Sequence, residues 1–133
     1  MDHWVRVLAN GRKLAKVSGA NLAVIELFAA FHDARRLNED YDPEHGLRGA
    51  AFAKEMRGRW FDLDDHGMKL LTEACEQHSD GLIDGDITVQ TCWDADRLDL
   101  GRVGIVPDPR YLCTDAARQP EMIEWAHSRA IRR

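Results

Sequence analysis

The stretch Leu22-Ala23-Val24-Ile25-Glu26-Leu27-Phe28-Ala29-Ala30-Phe31-His32-Asp33 decides the fold. From Leu22 to Phe31 only Glu26 is charged, and a helix apolar on nearly every side must be enclosed by other helices. The run is too short to span a membrane, which needs about 20 apolar residues. It stops in an adjacent His32-Asp33, two groups that are costly to bury without partners. The rest of the chain has to supply both the neighbours and the partners.

Upstream, Trp4, Val7, Leu8, Gly11, Leu14 and Ala15 recur at helical spacing, predicting an amphipathic helix from about Asp2 to Ser18 that Gly19 terminates. His3 lies one turn before Val7, on the inward face. Downstream, Asp42-Pro43-Glu44-His45 predicts a third helix with Asp42 as its N-cap and Pro43 in the first helical position. Gly46, Gly49, Ala50 and Ala53 keep one face thin, and His45 shares a stripe with Gly49, Phe52 and Met56. A fourth helix begins near Asp62 to Asp65 and aligns Leu71, Ala74, Cys75 and His78. A fifth, from about Ile87 to Leu100, aligns Val89, Cys92, Trp93, Asp96 and Leu100, and a last one runs from about Pro120 to Ile131. No segment alternates as a strand would. The predicted fold is all-α, a compact helical bundle forming one domain over residues 1–133.

Composition bounds the function. With 18 Lys and Arg against 23 Asp and Glu, the net charge of −5 argues against a protein that grips nucleic acid through its phosphates. No run is apolar enough for a membrane, and the start Met1-Asp2-His3-Trp4 does not read as a leader peptide, so a cytoplasmic protein is expected. Cys75, Cys92 and Cys113 are odd in number and form no CxxC pair, so they read as small core side chains.

Six residues carry the chemistry: His3, His32, Asp33, His45, His78 and Asp96 each end a helix or interrupt an inward apolar stripe. Asp33 also follows the C-terminal, negative end of its helix, so both acids call for positive charge. One divalent cation would satisfy both, and mixed imidazole and carboxylate ligation suits zinc, manganese, iron, cobalt or nickel. Asp94 competes with Asp96 as the distal acid, but its neighbours Gln90, Thr91 and Arg97 suggest a more polar face. His66 and His127 lie off the pattern and read as surface residues. Trp4 and Trp93, beside candidate ligands, read as apolar walls, and Trp60 and Trp125 as packing.

These residues, in the order His3, then Phe31-His32-Asp33, Glu44-His45-Gly46, Gln77-His78 and Ala95-Asp96-Arg97-Leu98-Asp99, resemble the HD-domain superfamily of metal-dependent phosphohydrolases. The resemblance spans residues 1–104 and leaves 105–133 as a helical extension. It implies a bundle with a metal site at its centre. His3, His32, Asp33 and Asp96 would hold a first ion, Asp33 would bridge to a second, and His45 and His78 would be the extra ligands of two-metal members. It also implies hydrolysis of a small phosphorylated metabolite or nucleotide by metal-activated water. Asp33, Arg35 and Arg36 are the catalytic candidates, the arginines as forks for phosphate. Relatives carry Lys where this chain has Arg36, so here an electrostatic clamp is expected and the general acid is unassigned. Arg97 is a secondary candidate. The loops Leu37 to Tyr41 and Gly81 to Asp86 are the expected walls of the substrate site. A minority of the superfamily uses the same ligands for di-iron oxygenase chemistry, and a non-catalytic metal-binding module is the third reading.

Overall fold

A computed structural model describes residues 2–36 and 42–131. The order is α1 (His3–Ser18), α2 (Leu22–Phe31), α3 (His45–Met56), α4 (Asp65–Gln77), α5 (Ile87–Arg97), short 3-10 turns at Leu100–Val103 and Pro109–Tyr111, α6 (Asp115–Arg118) and α7 (Pro120–Ile131). The fold is all-α. Among the described residues the only β pairing is an isolated bridge between Arg57 and Phe61. None of their helices is long and apolar enough to cross a membrane.

Local chemistry sets most boundaries. Asn21 Oδ1 accepts the Val24 amide at the start of α2, Asp64 Oδ1 accepts the Gly67 amide before α4, and Asp86 Oδ1 accepts the Thr88 amide before α5. Gly19 ends α1 in the left-handed region, with φ +75°. α2 packs against α1, α4 and α5 with Val24, Ile25, Phe28 and Ala29 fully enclosed, but it is less surrounded than its composition suggests: Leu22, Ala23 and Ala30 are exposed and Glu26 and Leu27 only half-buried, so one face meets solvent. Leu71, Val89 and Trp93 complete that core. The three cysteines are buried free thiols.

Two boundaries differ from expectation. α3 starts at His45, not at Pro43, because the buried Asp42 carboxylate is engaged by Arg48 instead of capping the helix. The Asp42 carbonyl instead accepts the His45 amide and, at 2.6 Å, its Nδ1. α5 ends at Arg97, short of Leu100; the Asp99 amide bonds the Asp96 carbonyl, which tightens the chain into a 3-10 turn. The segment after residue 104 builds a second small core, in which Leu112, Ala117, Met122 and Ala126 close on Leu14 and Leu98.

The thin face of α3 lets it approach the C-terminal ends of α2 and α4. A Cβ at Gly49 would sit 2.5 Å from the Phe31 carbonyl oxygen, and one at Gly46 2.5 Å from that of Cys75. Backbone atoms cannot yield as a flexible side chain can. Gly49→Ala is therefore expected to lower unfolding free energy by about 1–3 kcal/mol in urea titration; an unchanged midpoint would show that α3 does not need this closeness.

Candidate metal centre

Five helices deliver the six side chains. α1 and α3 present His3 and His45 at their first positions, α2 and α4 end in His32 and His78, and α5 carries Asp96 one residue before its end. Asp33 follows His32 directly. His32 is fully buried and stacks on Phe28, with ring centroids 4.7 Å apart. This fixes the imidazole at the base of the site.

Each imidazole is anchored through Nδ1. His32 Nδ1 donates to the Phe28 carbonyl at 3.0 Å, His45 Nδ1 to that of Asp42 at 2.6 Å, and His78 Nδ1 to that of Cys75 at 2.8 Å. His3 Nδ1 meets Asp99 Oδ2 at 2.6 Å. Carbonyl and carboxylate oxygens only accept, so these partners assign the proton to Nδ1 and leave each neutral ring with a bare lone pair on Nε2. All four Nε2 atoms point into the cluster.

There they form two sets. His3 Nε2, His32 Nε2 and Asp96 Oδ1 lie 3.0–3.4 Å apart: 3.2 Å between the rings, 3.0 Å and 3.4 Å to the acid. His45 Nε2, His78 Nε2 and Asp33 Oδ1 are separated by 2.8, 3.2 and 3.6 Å. Two bare lone pairs at such a distance repel. Ligand atoms about 2.1 Å from a shared ion sit about 3.0–3.4 Å from each other, so the first set has the spacing of donors around a cation and the second scatters to either side of it. Each set could hold a metal ion. Asp33 serves both, because its Oδ2 lies 3.6 Å from His3 Nε2 and 3.8 Å from His32 Nε2.

The two acids also act on the protonation of the imidazoles, because a proton on Nε2 meets the same demand for positive charge that a cation would. Burial opposes a charge on His3, but Asp96 and Asp99 outweigh it and raise its pKa to about 9. Burial would raise both acids; His78 and His32 instead hold Asp33 low, and His3 and His32 hold Asp96 well below the usual carboxylate range. His78, also opposed by burial, is raised by Asp33, whereas burial lowers His45.

No family model, curated protein or solved structure matches this chain.

Other residues singled out in the sequence go elsewhere. Asp94 is not on a polar face: it is fully buried and accepts the Cys113 amide at 2.6 Å, the Thr114 amide at 2.9 Å and the Thr114 hydroxyl at 2.7 Å. It ties α5 to the C-terminal segment. Arg35 lies over the Phe52 ring, 4.0 Å from its centroid, while Arg36 turns to the cluster, with Nη1 3.2 Å from His45 Nε2. Arg97 bonds the Tyr111 carbonyl and the Cys113 sulfur. Trp93 is a core residue donating to the Ala74 carbonyl, and Trp4 is half exposed. Within Gly81 to Asp86, the Leu82 carbonyl meets the Cys113 sulfur, the Ile83 carbonyl accepts from Gln90 and Gly85 packs on Trp93. Leu37 to Tyr41 lies outside the described residues. His66 is exposed as expected, but His127 is half-buried against Gly101.

Asp99 is the functional residue that sequence reasoning missed. Fully buried, it links His3 Nδ1 to Arg6, whose Nε donates to Asp99 Oδ1 at 2.6 Å. A carboxylate behind an imidazole fixes its orientation and raises its basicity as a ligand. The signal was present: Asp99 stands one turn after Asp96, and Arg6 one turn after His3. Asp99→Asn is expected to weaken divalent-ion binding to the His3, His32 and Asp96 set about tenfold or more in calorimetry and to lower the His3 pKa in NMR titration.

A ligand must shed its proton, so divalent-ion affinity is expected to climb by about tenfold per pH unit for each proton displaced, up to the His3 value of about 9. Competition against a chelator at pH 6, 7.5 and 9 measures this. Chelator-treated protein is expected to behave oppositely: the raised His3 pKa adds stability below the ordinary value of 6.5, and that increment fades as pH rises through about 9.

Proposed function

We propose that this chain is a metal-dependent phosphohydrolase of the HD superfamily, acting in the cytoplasm on a small phosphorylated metabolite or nucleotide. One observation carries the reading. A single carboxylate, Asp33, turns Oδ1 to His45 and His78 and Oδ2 to His3 and His32, an arrangement suited to two neighbouring cations. The imidazole and carboxylate set suits zinc, manganese, iron, cobalt or nickel. Bound divalent ions there supply Lewis-acid activation of water and neutralise charge on phosphoryl oxygens.

The chain's own residues support the rest of the reaction. Asp33 is 27% and Arg36 22% exposed at the side chain, whereas His32, His45 and His78 are buried. A substrate therefore meets the cluster on the Asp33 and Arg36 side. Arg36 offers a planar, positively charged fork for phosphoryl oxygens. A cysteine nucleophile finds no support. Burial raises all three thiols, Cys113 to about 12, and none lies among the six ligands. Attack by water directly on phosphorus is the step consistent with these groups. The net charge of −5 favours a small substrate over a nucleic-acid polymer, and three unpaired cysteines suit a reducing compartment.

Elemental analysis of the purified chain, followed by assay against phosphomonoesters, phosphodiesters and nucleotides, tests the proposal. Asp33→Asn is expected to keep the helical circular-dichroism signal, to bind fewer ions and to lose more than about a hundredfold in turnover. Absence of hydrolysis from the fully loaded wild type would overturn the phosphohydrolase reading.

A further inference from the structure

The two donor sets are chemically unequal. Behind the first stands a buried carboxylate, Asp99, on His3 Nδ1. The second has only backbone carbonyls behind its imidazoles, those of Asp42 and Cys75. A carboxylate makes its imidazole a stronger donor than a carbonyl does. The second set also has a cation of its own chain beside it. Arg36 Nη1 lies 3.2 Å from His45 Nε2 and 3.8 Å from Asp33 Oδ1, which are two of its three ligand atoms. The His45 lone pair cannot serve an N–H donor and a metal ion at once.

We infer that the Arg36 guanidinium competes with a cation for the Asp33, His45 and His78 donor set, so that the first ion binds tightly and the second only as Arg36 withdraws. This rests on the metal reading of the cluster. Arg6 and Arg102, the basic groups near the first set, bond Asp99 Oδ1 and the Asp99 backbone carbonyl, and leave the His3, His32 and Asp96 ligand atoms to an ion. Withdrawal turns Arg36 toward the open side, where a phosphate group gives it a new partner. Anion and second ion therefore bind cooperatively, each improving the affinity of the other by the same factor.

Calorimetric titration of chelator-treated protein with Mn2+, with and without inorganic phosphate, tests this. Wild type is expected to show one tight and one weak site, with phosphate strengthening the weak one. Arg36→Gln is expected to tighten the weak site by about tenfold to a hundredfold, the equilibrium worth of a charge-assisted hydrogen bond, and to remove most of the phosphate effect. Arg36→Lys, which keeps the charge without the fork, is expected to fall between and serves if Arg36→Gln does not fold. Arg35→Gln, equal in charge change but seated on Phe52, is expected to leave both constants alone. Two equal sites in the wild type, a weak site indifferent to Arg36→Gln, or equal tightening by Arg35→Gln would each overturn the competition while leaving the metal reading intact. Failure of the wild type to bind any ion would overturn both.

Discussion

Four imidazoles held by their Nδ1 atoms, with their Nε2 atoms converging on one carboxylate, are the constraint on which the rest of this molecule depends. Such a cluster does not stabilise itself. Lone pairs repel, and a buried acid loses its hydration. The packing that surrounds it supplies the force: each enclosed Phe28, Leu71 or Val89 side chain contributes about 1.5–3 kcal/mol from its removal from water. The helices are held by their apolar faces, and the polar ends are carried along.

Helix α2 shows how this works at one element. Val24, Ile25, Phe28 and Ala29 are locked among the neighbouring helices, which sets the direction of its C-terminal end: His32 is buried at the base of the cluster, and Asp33 keeps partial access to solvent. The thin face of α3 then brings a helix N-terminus up to that end, and His45 arrives with its ring already tied to the Asp42 carbonyl. Charge balance across the two donor sets follows from what stands behind each. A carboxylate supports His3, and a guanidinium flanks His45. One framework thus presents two halves of similar composition and different character.

The C-terminal third contributes through α5. Asp94 binds the chain at Cys113 and Thr114 from the buried side of the helix, and Asp96, two residues on, faces His3 and His32. Asp99, three residues further, turns back to His3 and Arg6. Three acids within six positions therefore do three different jobs: helical rotation turns Asp94 and Asp96 to different neighbours, and the turn that follows α5 brings Asp99 to the other nitrogen of His3. The small core around Leu98, Leu112 and Met122 fixes that rotation.

Helical periodicity is a local property. The sequence alone was therefore enough for the all-α class, for the limits of α2 and α7 and for the inward stripes that singled out His3, His32, His45, His78 and Asp96. Caps such as Asn21 and Gly19 are written in the same local code. What depends on contact between distant segments was not legible. The division of six residues into two sets of three, the support of His3 by Asp99, the capture of Asp94 by Cys113 and Thr114, and the separation of Arg36 from its neighbour Arg35 all arise across turns of chain that periodicity does not relate. The start of α3 belongs there too, since Arg48 drew the Asp42 side chain away from a capping role it was locally suited to fill. Each of these choices goes to whichever charged or polar partner the packed helices bring within hydrogen-bonding range, and only the tertiary structure fixes those distances.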